Sequence, residues 1–418
     1  MDFALSEDQN RLKTSVREFL EKECPEAVVR KIETDQRGYS PEIWKKISDL
    51  GWLGIGIPKE YGGTGGDFID LMVLHEEMGK ALFPSPHLST VVLCGQTIIN
   101  AGSPEQKKEL LPKIVDGSLI LAMALTEPES VWDGQAWEPE GVKMKATPAG
   151  NDYILDGVKL FVHDAHIADY ILCAAKTRQA KKPEEGITLF LVPTKSKGVN
   201  YELMDTVTNS NKQCEVVFKK VRVSKKNIVG KLNKGWDPLF QAIQAGAVML
   251  CAEMAGAAKK VQDITVDHAK TRIQFDMPIG INQHVQEHCV QLTIRQDACR
   301  YISNYAAWAL NQPDHELDVA MAKAFCSEAF EHLCWRAHQV LAGVGTMAVL
   351  HILPLYTRWG IIAENYLGDT EFWLERVALE LEKLPPHLKT KGKPIGLWDP
   401  KKKQVPAWDI WREFAESL

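Results

Sequence analysis

The sequence lacks the usual signatures of secreted, membrane-spanning and zinc-binding proteins. Its nine cysteines in 418 residues are odd in number and widely spaced, with no C-x-x-C pair. This pattern argues against a disulfide framework or a zinc knuckle and predicts buried, reduced thiols. No apolar run approaches the ~20 residues that span a bilayer, and the N-terminus has neither a secretion-signal nor a transit-peptide layout. We therefore expect a cytoplasmic protein without a membrane span.

Charge and motif patterns exclude further classes of protein. The net charge is −6, from 49 basic and 55 acidic residues, which argues against a nucleic-acid or membrane-surface binder. No P-loop occurs, and no G-x-G-x-x-G opens a helix, so a dinucleotide would not be held by a Rossmann unit. His284 and His288 are four residues apart, but Glu287 stands at the wrong step for the H-E-x-x-H zinc pattern. We expect no metal site.

Local patterns predict helices at the start of the chain. Hydrophobic residues make up 45% and charged residues 25%, as in an ordinary folded protein, and the length suggests two or three domains. Ser6 and Gln9 form a capping box, and the pairs Ser40-Pro41 and Ser103-Pro104 supply N-cap and first-turn residues. A glycine-rich stretch at 58–66 interrupts this helical pattern.

The hydrophobic period changes near residue 119 and again near residue 236. Short runs rich in Val, Ile and Phe lie at 119–125, 152–162, 169–175, 187–193 and 214–223. They predict a small, mostly antiparallel β-domain. Long segments with helical spacing then continue to about residue 383 and predict a helix bundle.

The predicted fold class is therefore α+β. Its parts are an N-terminal helical domain, a β-domain, a C-terminal helix bundle and a tail rich in Pro, Lys and Trp. The predicted bounds are 1–118, 119–232, 233–383 and 384–418. The tail is either solvated or packed through its tryptophans onto a neighbouring surface.

Six segments occur in the order seen in one known family. They are PKEYGGTGG at 58–66, ALTEPE at 124–129, LDGVKLFVHDAHIAD at 155–169, RIQFDMPIGINQHVQ at 272–286, HQVLAGVG at 338–345 and NYLGDTEF at 365–372. Together they resemble the acyl-CoA dehydrogenase family, from about residue 3 to residue 380. The resemblance implies a helical domain, a β-domain and a helix bundle that together hold FAD.

The activity that this resemblance implies is removal of two hydrogens across the α and β carbons of an acyl-CoA thioester. A carboxylate base takes the α-proton, hydrogen bonds on the thioester oxygen stabilise the developing enolate, and hydride passes to flavin N5. The implied partners are the acyl-CoA substrate, an electron-transfer acceptor, and further subunits of a dimer or tetramer.

The resemblance also assigns residues to the flavin ring. The backbone at Leu125 and the hydroxyl and amide of Thr126 would bond the isoalloxazine edge. Phe161 and His163 stand where the family usually has Trp and Thr or Ser. Phe161 can still stack on the ring, and His163 can still donate a hydrogen bond.

A second set of residues resembles the family's clamp on the rest of the cofactor. Arg272, Gln274, Phe275 and Gln283 match the segment that reaches the pyrophosphate across a subunit interface. Arginine suits this role because its planar fork bonds two phosphate oxygens at once. Asp276 replaces a family glycine here, so we expect a different local turn.

Gln339 and Gly343 resemble the family's adenine-side loop, in which Ala342 replaces the first glycine. Because the family shares its FAD site between subunits, FAD binding would imply at least a dimer.

The family's catalytic base is missing. Leu367 stands where the commonest glutamate would be, and Gly246 stands at the family's alternative base position. Asp369 is the nearest candidate acid, with Glu364 and Asp133 further away. A helix N-cap is the competing interpretation of Asp369.

Three functional hypotheses remain open. The chain is an acyl-CoA dehydrogenase with an unusual base, or it is a non-catalytic or half-site subunit of a hetero-oligomer whose related partner supplies the base. The third possibility is flavin chemistry without α-proton abstraction or a changed reaction on a CoA ester. Trp132 lies in a loop that has lost two family glycines. It would either wall a substrate pocket or fill the gap left by the changed loop.

Overall fold

The computed structural model describes residues 4–132, 134–208, 212–349 and 351–383, apart from the side chain of Trp132. Asp133 and the predicted tail at 384–418 lie outside the described residues, as does the side-chain role predicted for Trp132.

Helices dominate the N-terminal part. They are α1 (Glu7–Glu23), α2 (Glu26–Thr34), α3 (Pro41–Asp49), α4 (Phe68–Lys80), a π-helix (Leu88–Gly95), α5 (Gln96–Ala101) and α6 (Pro104–Val115). The capping box at α1 is confirmed, since Ser6 Oγ accepts from the Gln9 amide at 3.2 Å and the Gln9 side chain accepts from the Ser6 amide at 3.0 Å. Ser40 and Ser103 cap α3 and α6 as expected.

A mixed sheet forms the middle of the chain. Its strands are β1 (Leu121–Ala124), β2 (Lys145–Ala149), β3 (Asp152–His163), β4 (Tyr170–Lys176), β5 (Ile187–Pro193), β6 (Val199–Leu203), β7 (Gln213–Ser224) and β8 (Ile228–Val229), with α7 (Pro128–Trp132) after β1. The order is β6-β7-β3-β2-β4-β5-β8, and β1 joins β4 in parallel. The five predicted strands are confirmed, whereas β2, β6 and β8 were not predicted.

The sheet is buried on both of its faces at strand β4. Leu172 and Ala174 belong to the core that the sheet shares with the helices, whereas Ile171 and Cys173 belong to a second core inside the β-domain. Alternate residues of a strand point to opposite faces, so β4 connects the two cores.

Five helices form the C-terminal part as far as the structure describes it, to residue 383. They are α8 (Trp236–Thr271), α9 (Gln283–Ala309), α10 (Glu316–Thr346), α11 (Leu353–Asn365) and α12 (Thr370–Lys383), with a hairpin of β9 (Ile273–Gln274) and β10 (Met277–Pro278) between α8 and α9. The α+β fold class is confirmed. All nine cysteines are free, and all except the half-buried Cys289 are buried, as predicted.

Helix α8 has the length and apolar composition of a membrane span but lies inside the protein. Among the described residues it alone is long and apolar enough to cross a bilayer, with a mean hydropathy of 1.3 in its most apolar window. That window is 83% buried inside the protein, so α8 serves as the central helix of the core. It packs closely on α4: a Cβ at Gly79 would lie 2.0 Å from the Glu253 carbonyl oxygen, and one at Gly256 would lie 1.8 Å from that of Glu76.

Candidate functional site

A cleft of about 550 Å³ lies between the β-domain and the C-terminal helices. Thr126, Phe161 and Gln213 line it from the sheet side, and Tyr366 and Asp369 line it from the turn between α11 and α12. The fold thus brings together three of the predicted site residues, Thr126, Phe161 and Asp369, from distant parts of the sequence.

A buried ion pair fixes the strand end that carries Leu125 and Thr126. Lys159 Nζ donates to the Leu125 carbonyl at 2.8 Å and to Glu127 Oε1 at 2.7 Å. The Glu127 carboxylate also accepts from the backbone amides of Lys143 and Met144. Because both charged groups are buried and multiply hydrogen-bonded, the pair holds this backbone in one position.

A β-bulge directs Phe161 into the cleft. The pairing of β3 with β7 shifts between Lys159 and Val162, and Phe161 adopts a φ of 54°. Bulges re-aim side chains, and a positive φ in a bulky residue is strained, a feature that concentrates at functional sites. The ring remains 37% exposed at the cleft wall.

His163 is buried and already has two partners. The Gln213 amide nitrogen lies 2.7 Å from His163 Nε2, and the His163 ring stacks on Tyr366 with centroids 3.8 Å apart. Burial lowers the pKa of His163 to about 3, so the ring is neutral. With the Gln213 amide donating to Nε2, the ring proton is on Nδ1, which remains the only donor that His163 can offer.

Leu367 occupies the position where the family's base was expected. It is fully buried, and its φ is 62°. A Cβ built on Gly246 would lie 2.7 Å from Leu367 Cδ1 and 2.7 Å from Leu93 Cδ2. The two positions at which the resemblance predicted a base therefore face each other, and the contacts between them are apolar.

A buried ammonium holds the turn that carries Leu367. Lys323 Nζ has four acceptors within hydrogen-bond distance, which its three N–H groups share: the carbonyls of Ala363 at 3.0 Å, Glu364 at 2.7 Å and Gly368 at 3.0 Å, and Ser327 Oγ at 3.0 Å. Burial lowers the pKa of Lys323 to about 8. Lys323 was not predicted from the sequence, since a lone lysine in a helical pattern is typical of a solvated face.

Asp369 lies at the edge of the cleft and caps α12. Its Oδ1 accepts from the Phe372 amide at 2.8 Å, and the residue is exposed. The structure therefore gives Asp369 the N-cap role that competed with catalysis, in a position that also lines the cleft.

The predicted pyrophosphate clamp projects from the molecule. Arg272, Gln274 and Gln283 are exposed, and Phe275 is 98% exposed at the tip of the hairpin. Phe275 and Asp276 have φ values of 52° and 63°, as a two-residue type I′ turn requires. Asp276 thus adopts the left-handed conformation that a glycine would favour.

The predicted adenine-side residues are also exposed. Gln339 lies on α10, and Ala342 kinks that helix with φ 50° and ψ −137° just before Gly343. Within the described ranges, neither this group nor the hairpin lines the 550 Å³ cleft. Within one chain, the predicted flavin-ring residues of the cleft therefore lie apart from the residues predicted to bind the pyrophosphate and the adenine.

A histidine cluster on α9 is already occupied by a side-chain cation. The potential ligand atoms of His284, Glu287 and His288 lie within 4.8 Å of one another. Arg336 Nη1 donates to the Glu287 carboxylate at 2.9 Å and lies 3.3 Å from His288 Nδ1. Arg336 therefore contacts two of these three residues.

Three family models match the chain in sequence order. They are the acyl-CoA dehydrogenase N-terminal domain over residues 6–118, the middle domain over 122–221 and the C-terminal domain over 233–381.

Known proteins resemble the chain along most of its length. It is 29% identical to acryloyl-CoA reductase (NADH) of Anaerotignum propionicum over 92% of this chain and 96% of the relative. It is 30% identical to 3-(aryl)acrylate reductase of Clostridium sporogenes over 88% and 96%. The structure of butyryl-CoA dehydrogenase from Megasphaera elsdenii matches with a TM-score of 0.83 at 26% identity, over 92% of this chain and 100% of that one.

Proposed function

Because the chain belongs to the acyl-CoA dehydrogenase family, a family of FAD-dependent oxidoreductases, we propose that it catalyses α,β-dehydrogenation of an acyl-CoA thioester. The observation that best supports this proposal is the cleft, which is lined by Thr126 and Phe161 of the β-domain and by Tyr366 and Asp369 of the helix bundle. The direction of the reaction, oxidation of the acyl group and not reduction of its double bond, is part of the proposal. Two of the relatives are named reductases and one a dehydrogenase.

The residues of the cleft fit FAD. A fixed strand end at Leu125 and Thr126 offers backbone and hydroxyl groups, and the strained Phe161 offers an aromatic wall. Arg272 and Gln274 would bind the pyrophosphate, with Phe275, Gln283, Gln339 and Gly343 completing the cofactor site. When bound, FAD supplies a hydride acceptor for the substrate β-carbon. His163 would orient the flavin ring by donating a hydrogen bond from its Nδ1.

Asp369 is the base that this proposal assigns to the chain. Its carboxylate lines the cleft, and its Oδ1 is held by the Phe372 amide. To take an α-proton from the substrate, Asp369 would use Oδ2, while Oδ1 still accepts the hydrogen bond from the Phe372 amide.

The apolar contact of Leu367 with Gly246 favours a second candidate function. Both positions at which the family carries its base lack a carboxylate, and a leucine fills the space between them. The chain would then be a half-site subunit of a hetero-oligomer in which a related subunit supplies the base.

Both functions require a second subunit over the exposed hairpin. Ile273 and Met277 are each 51% exposed beside Phe275, a costly arrangement in water. A second copy of this chain, or a related subunit, would cover them and bring Arg272 to the partner's flavin site. Electrons would leave the reduced cofactor through an electron-transfer protein.

Anaerobic titration of the purified protein with acyl-CoA thioesters tests both functions. A yellow homo-oligomer whose flavin absorbance bleaches with a thioester supports the dehydrogenase. A protein that takes up flavin or bleaches only with a related second polypeptide supports the half-site subunit. Flavin that stays oxidised in both preparations contradicts both functions.

A further inference from the structure

One turn of helix α9 presents three groups that can bind a metal ion. Residues three and four positions apart are neighbours on a helix surface, so Glu287 and His288 both lie beside His284. The potential ligand atoms of the three side chains lie within 4.8 Å of one another. Among the residues that the structure describes, no other three His, Cys, Asp or Glu side chains come together in this way.

The expectation of no metal site rested on a different use of the glutamate. In the H-E-x-x-H pattern two histidines bind zinc, and the glutamate beside the first one acts as a base. Here Glu287 lies three residues after His284, nearly one full helical turn, so it shares a helix face with both imidazoles. The spacing that excludes the protease pattern therefore allows a site with two nitrogen ligands and one oxygen ligand.

The three ligands combine one fixed group with two accessible ones. His288 is only 6% exposed, and its ring packs edge-on against the rings of His284, with centroids 4.7 Å apart, and Trp335, with centroids 6.2 Å apart. His284 and Glu287 are exposed. A ligand that packing already holds in place lowers the entropy cost of binding, and the two exposed ligands give an ion a path from solvent.

Arg336 of α10 is the cation that competes for these groups. Its Nη1 donates to the two Glu287 carboxylate oxygens at 3.1 and 2.9 Å and lies 3.3 Å from His288 Nδ1. A divalent metal ion carries twice the charge of a guanidinium and bonds directly to imidazole nitrogen and carboxylate oxygen. The Arg336 side chain is 18% exposed, so it can turn toward solvent when an ion takes its partners.

We propose that His284, Glu287 and His288 form a binding site for a late first-row divalent metal ion, Zn²⁺ in the first place, which displaces the contact with Arg336. Imidazole nitrogen suits Zn²⁺, whereas Mg²⁺ and Ca²⁺ prefer sites built from oxygen ligands. Three protein ligands leave a fourth position of the tetrahedral ion to water. The inference is independent of the proposed function, since it uses only side chains of α9 and α10.

Calorimetric titration of the purified full-length protein with zinc chloride, after chelator treatment, tests the proposal. We expect one Zn²⁺ to bind per chain, and Mg²⁺ and Ca²⁺ to give no measurable binding at the same concentrations. His284→Ala and Glu287→Gln should each weaken Zn²⁺ binding at least tenfold, and both positions are exposed, so the variants should fold. His332→Ala is the matched control: it removes an exposed histidine that pairs only with Glu328 and should bind Zn²⁺ like wild type.

Arg336→Gln tests the competition between the two cations. Removing the guanidinium frees the Glu287 carboxylate, so Zn²⁺ should bind several-fold more tightly than to wild type. Looser binding in the folded variant would contradict the displacement of Arg336. Absence of Zn²⁺ binding to wild type, binding of Mg²⁺ as tight as that of Zn²⁺, or unchanged Zn²⁺ affinity in His284→Ala would overturn the proposal.

Discussion

Leu367 packs directly against Gly246, so closely that a Cβ on the glycine would lie 2.7 Å from Leu367 Cδ1. The resemblance to the acyl-CoA dehydrogenase family predicts a catalytic base at one or the other of these two positions. At the first of these predicted positions the side chain is apolar, and at the second there is no side chain, so neither residue can act as a base.

Leu367→Glu should restore a base at this position. General-base catalysis contributes about 10²–10⁴-fold, so we expect flavin reduction by a bound thioester to accelerate at least tenfold. The measurement is stopped-flow bleaching of the flavin under anaerobic conditions. Leu367→Gln has the same shape without the charge and should give no gain. A folded, FAD-loaded Leu367→Glu protein as slow as the glutamine variant would contradict this account of the position.

Asp369→Asn separates the two roles of Asp369. Asparagine is as good an N-cap as aspartate, so unfolding stability should stay within about 0.5 kcal/mol. If Asp369 is the base, flavin reduction by thioester falls at least tenfold, because the amide cannot take a proton. Reduction at the full wild-type rate would exclude Asp369 as the base and leave only its cap role.

Sequence patterns predicted best what is determined locally. The cap of α1 depends on Ser6 and Gln9, which are three residues apart, and strand β5 depends on a continuous apolar run. Strand β2 was missed because its residues, KATPA, include proline and have no apolar period of their own. It becomes a strand by pairing with β3.

The candidate site was predictable only in part, for a similar reason. Thr126 and Phe161 lie in motifs, and the fold brings both to one cleft. A hydrogen-bonded chain of Glu253, His75 and His87 lies next to the cleft. It could not be predicted, because Glu253 is 178 residues from its partner His75 and each residue alone resembles an ordinary core or surface position. The close packing of α4 on α8 brings His75 and Glu253 together, and the following π-helix places His87 beside His75.

Lys323→Met should destabilise the protein. The variant leaves the carbonyls of Ala363, Glu364 and Gly368 without their shared donor, and an unsatisfied buried acceptor costs about 1–3 kcal/mol. We expect a loss of roughly 3 kcal/mol or more in the free energy of unfolding, measured by urea denaturation at constant m. Ser327→Ala, which removes one partner of the same ammonium, should cost about 1 kcal/mol. Similar values for both variants would contradict this role of Lys323.

Asp164→Asn should change the pH dependence of stability. Burial raises the pKa of Asp164 from 3.8 to about 7, so the folded state binds this proton more tightly than the unfolded state. Its stabilising contribution is complete below the unfolded pKa and is lost as pH rises toward about 7. Asparagine does not titrate and tolerates the positive φ at this position.

We therefore expect the Tm of Asp164→Asn relative to wild type to rise between pH 5 and pH 8, by an amount equivalent to about 1–3 kcal/mol. Glu253 titrates in both proteins, so its effect cancels in the difference. A pH-independent difference in Tm would show that Asp164 has an ordinary pKa.

Arg272→Ala should weaken FAD binding about 10–100-fold, because charge-assisted hydrogen bonds contribute roughly 1.5–3 kcal/mol. The measurement is fluorescence titration of the apoprotein with FAD. Arg11→Ala, at an exposed arginine on α1, is the matched control and should bind FAD like wild type. Equal affinities for both variants would remove Arg272 from the cofactor site.

The most direct test of the central claim measures FAD uptake and subunit number together, by titration of the apoprotein followed in the analytical ultracentrifuge. The account predicts that FAD binds at one molecule per chain to a dimer or larger assembly, formed with itself or with a related subunit. Uptake by a monomer, or no uptake in either preparation, would contradict a coenzyme shared across the exposed hairpin.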